Sequence, residues 1–189
     1  MYKYAFALLF PLWALLSLQF ADLPARSSDS ASLTAYFPEV SGRNIDNEAY
    51  ALPGDFEGEY NVVLMAFSWG QQRTVNTWLG ALRTLESEIE GIRVYELPTL
   101  PEFSQQQRDR LDRMMSAGIS DPLARESTIT LYTDLGNLQD ALDVPNTSTV
   151  RLFLVDRAGN IYWRSQGSYS QNQFEELANL VSALVEDER

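Results

Sequence analysis

The chain contains no cysteine and no histidine. Without a thiol it cannot exchange disulfides, ligate an iron–sulfur cluster or build a thiolate zinc site. Without an imidazole it lacks the side chain best suited to moving protons near neutral pH, so histidine triads and histidine metal sites are excluded too. Lysine is almost missing: Lys3 is the only one, and every other basic residue is an arginine. Genome bias produces such a skew, and so does a preference for bidentate arginine contacts. Positive charge is scarce overall, with 14 Lys plus Arg against 26 Asp plus Glu and a formal net charge of -12. Phosphate backbones are held by basic patches, so this balance argues against nucleic acid as the main partner. What the chain does have is length and apolar content, 189 residues at 45% hydrophobic, enough for one sizeable core.

Lys3 precedes an apolar stretch from Tyr4 to Phe20, interrupted by Pro11, Ser17 and Gln19. A positive start followed by an apolar run is the pattern of a signal peptide. Ala25 offers a cleavage point, although Leu23 stands where a small residue is usual. Residues 1–25 are therefore expected to be a signal peptide or an uncleaved N-terminal anchor, and the acidic body to be exported, periplasmic or anchored facing the periplasm. Export to an oxidising compartment suits a chain with no thiol to misoxidise. Loss of residues 1–25 removes Lys3 and Asp22 and leaves the net charge unchanged. Residues 26–35 read as a polar linker, and residues 36–189 as the folded domain.

Within that domain, turn residues and short apolar fragments between Tyr36 and Glu59 suggest turns and an edge hairpin. Tyr60 to Phe67 is a continuous apolar run of strand length, suited to a strand buried on both faces. After Gly70 the period changes: Val75, Trp78, Leu79, Leu82, Leu85 and Ile89 fall on one helical face, with Gly91 as the stop. Ile92 to Leu97 reads as a strand closed by Pro98 and Pro101. Ser104 caps a helix carrying Leu111, Met114 and Met115 that Gly118 ends. Thr128 to Thr133 is β-rich, and Asn137 to Leu142 is a short helix. Thr149 to Val155 and Ile161 to Arg164 form a hairpin about Arg157-Ala158-Gly159-Asn160. Ser170 and Gln173 form a capping-box pattern before a last helix using Phe174, Leu177, Val181 and Leu184. The order β-α-β-α-β-α-β-β-α implies an α/β fold, a sheet with helices on both faces and an antiparallel hairpin at one end.

That order resembles the thioredoxin-like fold in its peroxiredoxin and TlpA-like branch. Phe37-Pro38 through Leu52-Pro53 is similar to the lead-in of that branch, and Gly58 to Leu64 to its first core strand. Tyr132-Thr133-Asp134 through Val144 resembles the segment where a strand ends in Asp before a short helix. Phe153-Leu154-Val155-Asp156-Arg157-Ala158-Gly159-Asn160-Ile161 is similar to its closing hairpin. The departures bear on function. Gly70 and Arg73 stand where the branch has its two redox cysteines, and Val150 where it has a cis-proline. The redox activity that the resemblance implies therefore does not carry over. A narrower resemblance, to cysteine-poor thioredoxin-like proteins related to the mitochondrial ATP-synthase assembly factor, rests on Phe67-Ser68-Trp69 and Ile161-Tyr162-Trp163. It implies a role in assembling a membrane complex.

The candidate binding surface is Ser68, Trp69, Gly70, Gln71, Gln72 and Arg73 with Thr149, Val150 and Arg151. A helix start directs N–H groups and a positive dipole at whatever sits there, so Gln71, Gln72 and Arg73 either hold a carboxylate, a sulfate or a peptide backbone or are ordinary helix-starting residues. Trp69 could stack on a partner. Thr149 and Arg151 flank the position that binds extended peptides in working thioredoxins, a form of strand addition; otherwise Arg151 is an outward strand residue. Arg108, Asp109, Arg110, Asp112 and Arg113 read as a solvated, charge-mixed helix face. No cofactor and no metal is expected. Two functions stay open: binding of protein or peptide segments as an assembly or chaperone-like accessory, and binding of a small molecule or anion at the helix start. The first expects Trp69 and Thr149 exposed and adjacent in a shallow groove, the second an enclosed pocket lined by Arg73.

Overall fold

A computed structural model describes residues 36–187, and the expectations for residues 1–25 and 26–35 lie outside the described residues. The strands are β1 (Val40–Asn44), β2 (Ala49–Leu52), β3 (Tyr60–Ala66), β4 (Ile92–Leu100), β5 (Ile129–Tyr132), β6 (Arg151–Asp156) and β7 (Ile161–Gln166). The helices are α1 (Gln72–Glu88), α2 (Gln105–Gly118), α3 (Pro122–Ser127), α4 (Leu135–Leu142) and α5 (Gln171–Asp187), with a short 3-10 turn at Trp69–Gln71 before α1. One mixed sheet runs in the order β2-β1-β5-β4-β3-β6-β7. β3, β4 and β5 are parallel neighbours, while the β1–β2 hairpin and β6–β7 extend the sheet antiparallel on either side.

All seven residues of β3 are buried, as expected of an apolar run covered on both faces. On one face Val62, Leu64, Val94, Leu152 and Leu154 pack with Val75, Trp78 and Leu82 of α1 and with Leu177 and Val181 of α5. On the other, Val63, Met65, Leu97, Leu131 and Phe153 pack with Phe37, Phe56 and Leu138 and Leu142 of α4. Strand periodicity thus divides the core into two layers, and the β3–α1 junction emerges at the C-terminal end of an interior strand.

Local chemistry places the helix starts. Gln107 Oε1 accepts from the Ser104 backbone N–H at 3.1 Å and from its hydroxyl at 2.8 Å, opening α2. Asp134 Oδ1 accepts from the N–H groups of Gly136 and Asn137 at the start of α4.

Two strand boundaries and one helix differ from the sequence reading. β4 runs through Pro98 to Leu100, because Thr99 and Leu100 find partners in Leu131 and Tyr132 of β5. α3 was not expected; Asp121 caps it, accepting from the Ala124 N–H at 2.8 Å, and Pro122 opens it. β6 begins at Arg151 rather than Thr149. Of the two adjacent methionines on α2, Met115 is buried and Met114 is exposed.

Candidate functional site

The Ser68–Arg73 segment leaves the C-terminal end of the central strand and turns straight into α1. Ser68, Trp69 and Gly70 are exposed, and Trp69 keeps 68% of its surface in water. Gln72 and Arg73 are exposed as well. No acidic residue stands in the first turn of α1, whereas Arg73 does. A cation there opposes the positive end of the helix dipole, so the turn is electropositive in an otherwise acidic protein.

Gln71 corrects the sequence reading. It is buried, and its side chain is committed: Oε1 accepts from the Phe67 N–H at 2.8 Å and Nε2 donates to the Thr147 carbonyl at 2.8 Å. It joins the end of β3 to the loop before β6, with both the oxygen and the nitrogen of its amide engaged inside the protein. Arg151 is corrected likewise. Neither a ligand-facing group nor an outward strand residue, it is buried, and donates to Gln166 Oε1 and to the Asn146 carbonyl, the latter at 3.0 Å. Its Nε has no hydrogen-bond partner among the described residues and lies out of solvent. Neutral acceptors alone hold this guanidinium under the loop. Val150 is fully buried in the α1-side core, so it supports the surface without forming it. Thr149 is half-buried beside Gly167. The expected groove therefore reduces to the exposed turn of Ser68, Trp69 and Gly70 with Gln72 and Arg73.

One participant was missed. Gln72 donates to Glu96 Oε2 at 3.3 Å, and Glu96 is 9% exposed on β4. Burial raises its carboxyl above the usual glutamate value, against the opposing influence of the Gln72 hydrogen bond and the Arg83 charge. A lone acid inside the apolar run Ile92–Leu100 was the signal for it. Among the described residues no group of acidic side chains could hold a metal ion, and no helix is long and apolar enough to cross a membrane.

No protein-family model and no curated protein matches the chain. Solved structures do. BsSco, a member of the Sco family of cytochrome c oxidase assembly proteins, is similar with a TM-score of 0.55 at 12% identity, over 81% of this chain and 95% of that one. The thioredoxin domain of a thiol-disulfide oxidoreductase from Bacteroides vulgatus is similar with a TM-score of 0.52 at 13% identity, over 78% of this chain and 96% of that one. The exposed lipoprotein thioredoxin of Streptococcus pneumoniae strain TIGR4 gives 0.51 at 11% identity, over 75% and 98%. These structures bear on the thioredoxin-like resemblance and not on the narrower assembly-factor one. The strand order, the two helical layers and these neighbours agree that the chain has the thioredoxin-like fold, in a form without any cysteine.

Proposed function

We propose that the chain is a redox-inactive thioredoxin-fold protein of the cell envelope that binds protein or peptide segments as an assembly accessory. The observation that carries the reading is Trp69: a large aromatic side chain held in water at the end of the central strand, on a turn that Gln71 anchors from beneath. A rigid, exposed tryptophan is a low-entropy anchor for a partner. The apolar N-terminal stretch after Lys3 supports the envelope assignment, as does the likeness to an exposed lipoprotein thioredoxin. Likeness to a member of a family of cytochrome c oxidase assembly proteins supports the assembly role.

A second reading, an anion bound at the start of α1, is favoured by Arg73 in a first turn that lacks any acid. Gln71 takes no part in it, because both ends of its amide are used.

The test is a crosslinking pull-down of the full-length chain from its own cell envelope, beside a Trp69→Ala/Arg73→Ala variant. Recovery of defined membrane-complex subunits by the native chain, lost in the variant, upholds the peptide-binding reading. Equal recovery moves the interface elsewhere, and no specific recovery removes the reading.

A further inference from the structure

A cleft of about 530 Å³ opens between α2 and the sheet face made by the β1–β2 hairpin and β5. Its floor sets the small side chains of Ser41, Ala49, Ala51 and Thr130 around Arg43. Register places Ser41 opposite Ala51, and Arg43 opposite both Ala49 and Thr130, so these residues share one face. Its wall is a single stripe of α2 comprising Gln105, Arg108, Asp109, Asp112 and Met115. A helix resting on a sheet ordinarily turns an apolar stripe inward. Here only Met115 is apolar, and it lies against Thr130, whose hydroxyl is 3.8 Å from Sδ. Small residues below and charged ones above leave the space unfilled.

The charges in that space are not neutralised by one another. Arg108 and Asp112 stand at i and i+4, the spacing of a helix ion pair, yet they form none. Arg108 instead donates through Nε to the Phe103 carbonyl at 2.9 Å, and its guanidinium lies 5.0 Å over the Tyr132 ring. Its two terminal nitrogens donate to nothing among the described residues. Asp112 accepts from the Tyr132 hydroxyl at 2.7 Å. Burial first, then Asp112, holds that hydroxyl well above the ordinary tyrosine range, so it remains a donor at neutral pH. Asp109 accepts from the Gln105 amide at 2.7 Å, and among the described residues Arg43 donates to Asn47 alone. Asp55, which accepts from the Ala51 N–H at 2.6 Å, is the third acid of the lining, so two guanidiniums with spare donors and three carboxylates with spare acceptors face one cleft.

We propose that this cleft binds a small zwitterion of the amino-acid type, a free amino acid or a dipeptide. Its carboxylate goes to the arginine donors and its ammonium to Asp109 and Asp112. A plain anion entering the cleft meets three carboxylates, and a plain cation meets two guanidiniums. Only a ligand carrying both signs is complementary to both. The volume lies in the range of small-molecule sites. The proposal is independent of the Trp69 surface.

The test titrates the full-length chain by calorimetry with a panel of free amino acids and dipeptides. Their N-acetylated and C-amidated counterparts and inorganic phosphate are titrated in parallel. The expected result is saturable binding by at least one zwitterion, weakened tenfold or more by blocking either end and by Arg108→Gln. Asp109→Asn should weaken it likewise, while Arg110→Gln, an exposed position on the same helix, leaves it unchanged. If Arg108→Gln fails to fold, Arg43→Gln on the exposed hairpin takes its place. Tighter binding of dipeptides or of free amino acids identifies which of the two the cleft holds. Absence of binding across the panel, or affinity unaltered by blocking and by the substitutions, overturns the proposal.

Discussion

The side-chain amide of Gln71 donates to the backbone carbonyl of Thr147 at 2.8 Å, across 76 residues of chain. Its oxygen accepts from the Phe67 N–H, so one glutamine fixes the end of β3, the start of α1 and the loop leading to β6. Gln71→Ala leaves a buried N–H and a carbonyl without partners, at roughly 1–3 kcal/mol for each group left unsatisfied. For a domain of this size about 1 kcal/mol lowers Tm by about 2–4 °C. Thermal unfolding should therefore fall by several degrees, with faster amide exchange at Phe67. An unchanged Tm would mean that the clamp is not made in solution.

Sequence patterning conveyed the frame of the fold far better than the use of its polar residues. Tyr60 to Phe67 was legible because a strand covered on both faces is apolar at nearly every position, here all but Asn61, and α1 because Val75, Trp78, Leu82 and Leu85 repeat on one face. Pro98 misled because proline reads as a strand end, whereas pairing with β5 carries β4 onward. Gln71 and Arg151 were read as available because a polar side chain at a helix start or strand end looks the same whether free or committed. What commits them, Thr147 for one and Gln166 and Asn146 for the other, is set by tertiary contact. Arg108, Asp109 and Asp112 read as a solvated face for the same reason, and the cleft depends on the small floor of β1 and β2 that only strand register reveals.

Glu96 makes the protein less stable as pH rises. Its folded carboxyl titrates above the unfolded value of 4.5, chiefly through burial, so the native state holds the proton more tightly. The stability this contributes is complete below pH 4.5 and is lost as pH rises through the native value. Glu96→Gln keeps an acceptor for the Gln72 amide and removes the buried charge. The variant should be more stable than the native chain at pH 8, with the advantage vanishing below pH 4.5, as followed by urea unfolding across pH. A variant less stable at every pH contradicts this assignment.

Asp156 works in the opposite sense. Burial opposes its ionisation, but it is outweighed by the Asn160 side-chain amide at 2.6 Å, the Asn160 N–H at 2.9 Å and the Tyr162 hydroxyl at 3.0 Å, which hold the carboxyl below its usual 3.8. Its contribution is present above pH 3.8 and lost as pH falls through the lower native value. Asp156→Asn should cost roughly 1 kcal/mol at pH 7 by loss of charge-assisted hydrogen bonds in the β6–β7 turn. That difference should shrink as pH falls below 3.8 through the lower native value, which denaturation at pH 7 and at successively lower pH would show.

Gly42 lets β1 lie against β5. A Cβ there would stand 2.7 Å from side-chain carbons of Ile129 and Leu131 and 2.8 Å from the Thr130 carbonyl. Two of these contacts belong to buried β5 side chains and one to the backbone, so the strand itself must move. Gly42→Ala should destabilise by about 1–3 kcal/mol, the usual cost of overpacking. The hairpin forms the cleft floor, so the same variant should also weaken zwitterion binding. A stable Gly42→Ala protein would mean that β1 is looser than its register with Leu131 and Ile129 indicates.

Two tryptophans on one segment separate packing from recognition. Trp78 is fully buried, donates from Nε1 to the Gly167 carbonyl at 2.9 Å and meets the Tyr169 ring edge-on at 5.3 Å. Trp78→Phe loses the hydrogen bond and leaves the carbonyl unpaired, at about 1–3 kcal/mol. Trp69, nine residues earlier, is 68% exposed, and a substitution at such a position ordinarily changes stability by within about 0.5 kcal/mol. Chemical denaturation of the two single variants should therefore differ clearly, with Trp69→Ala superimposing on the native chain. That outcome makes loss of partner recovery by a Trp69 variant a statement about the surface. If Trp69→Ala instead destabilises as much as Trp78→Phe, the side chain is a packing group, and the peptide-binding reading loses the observation on which it rests.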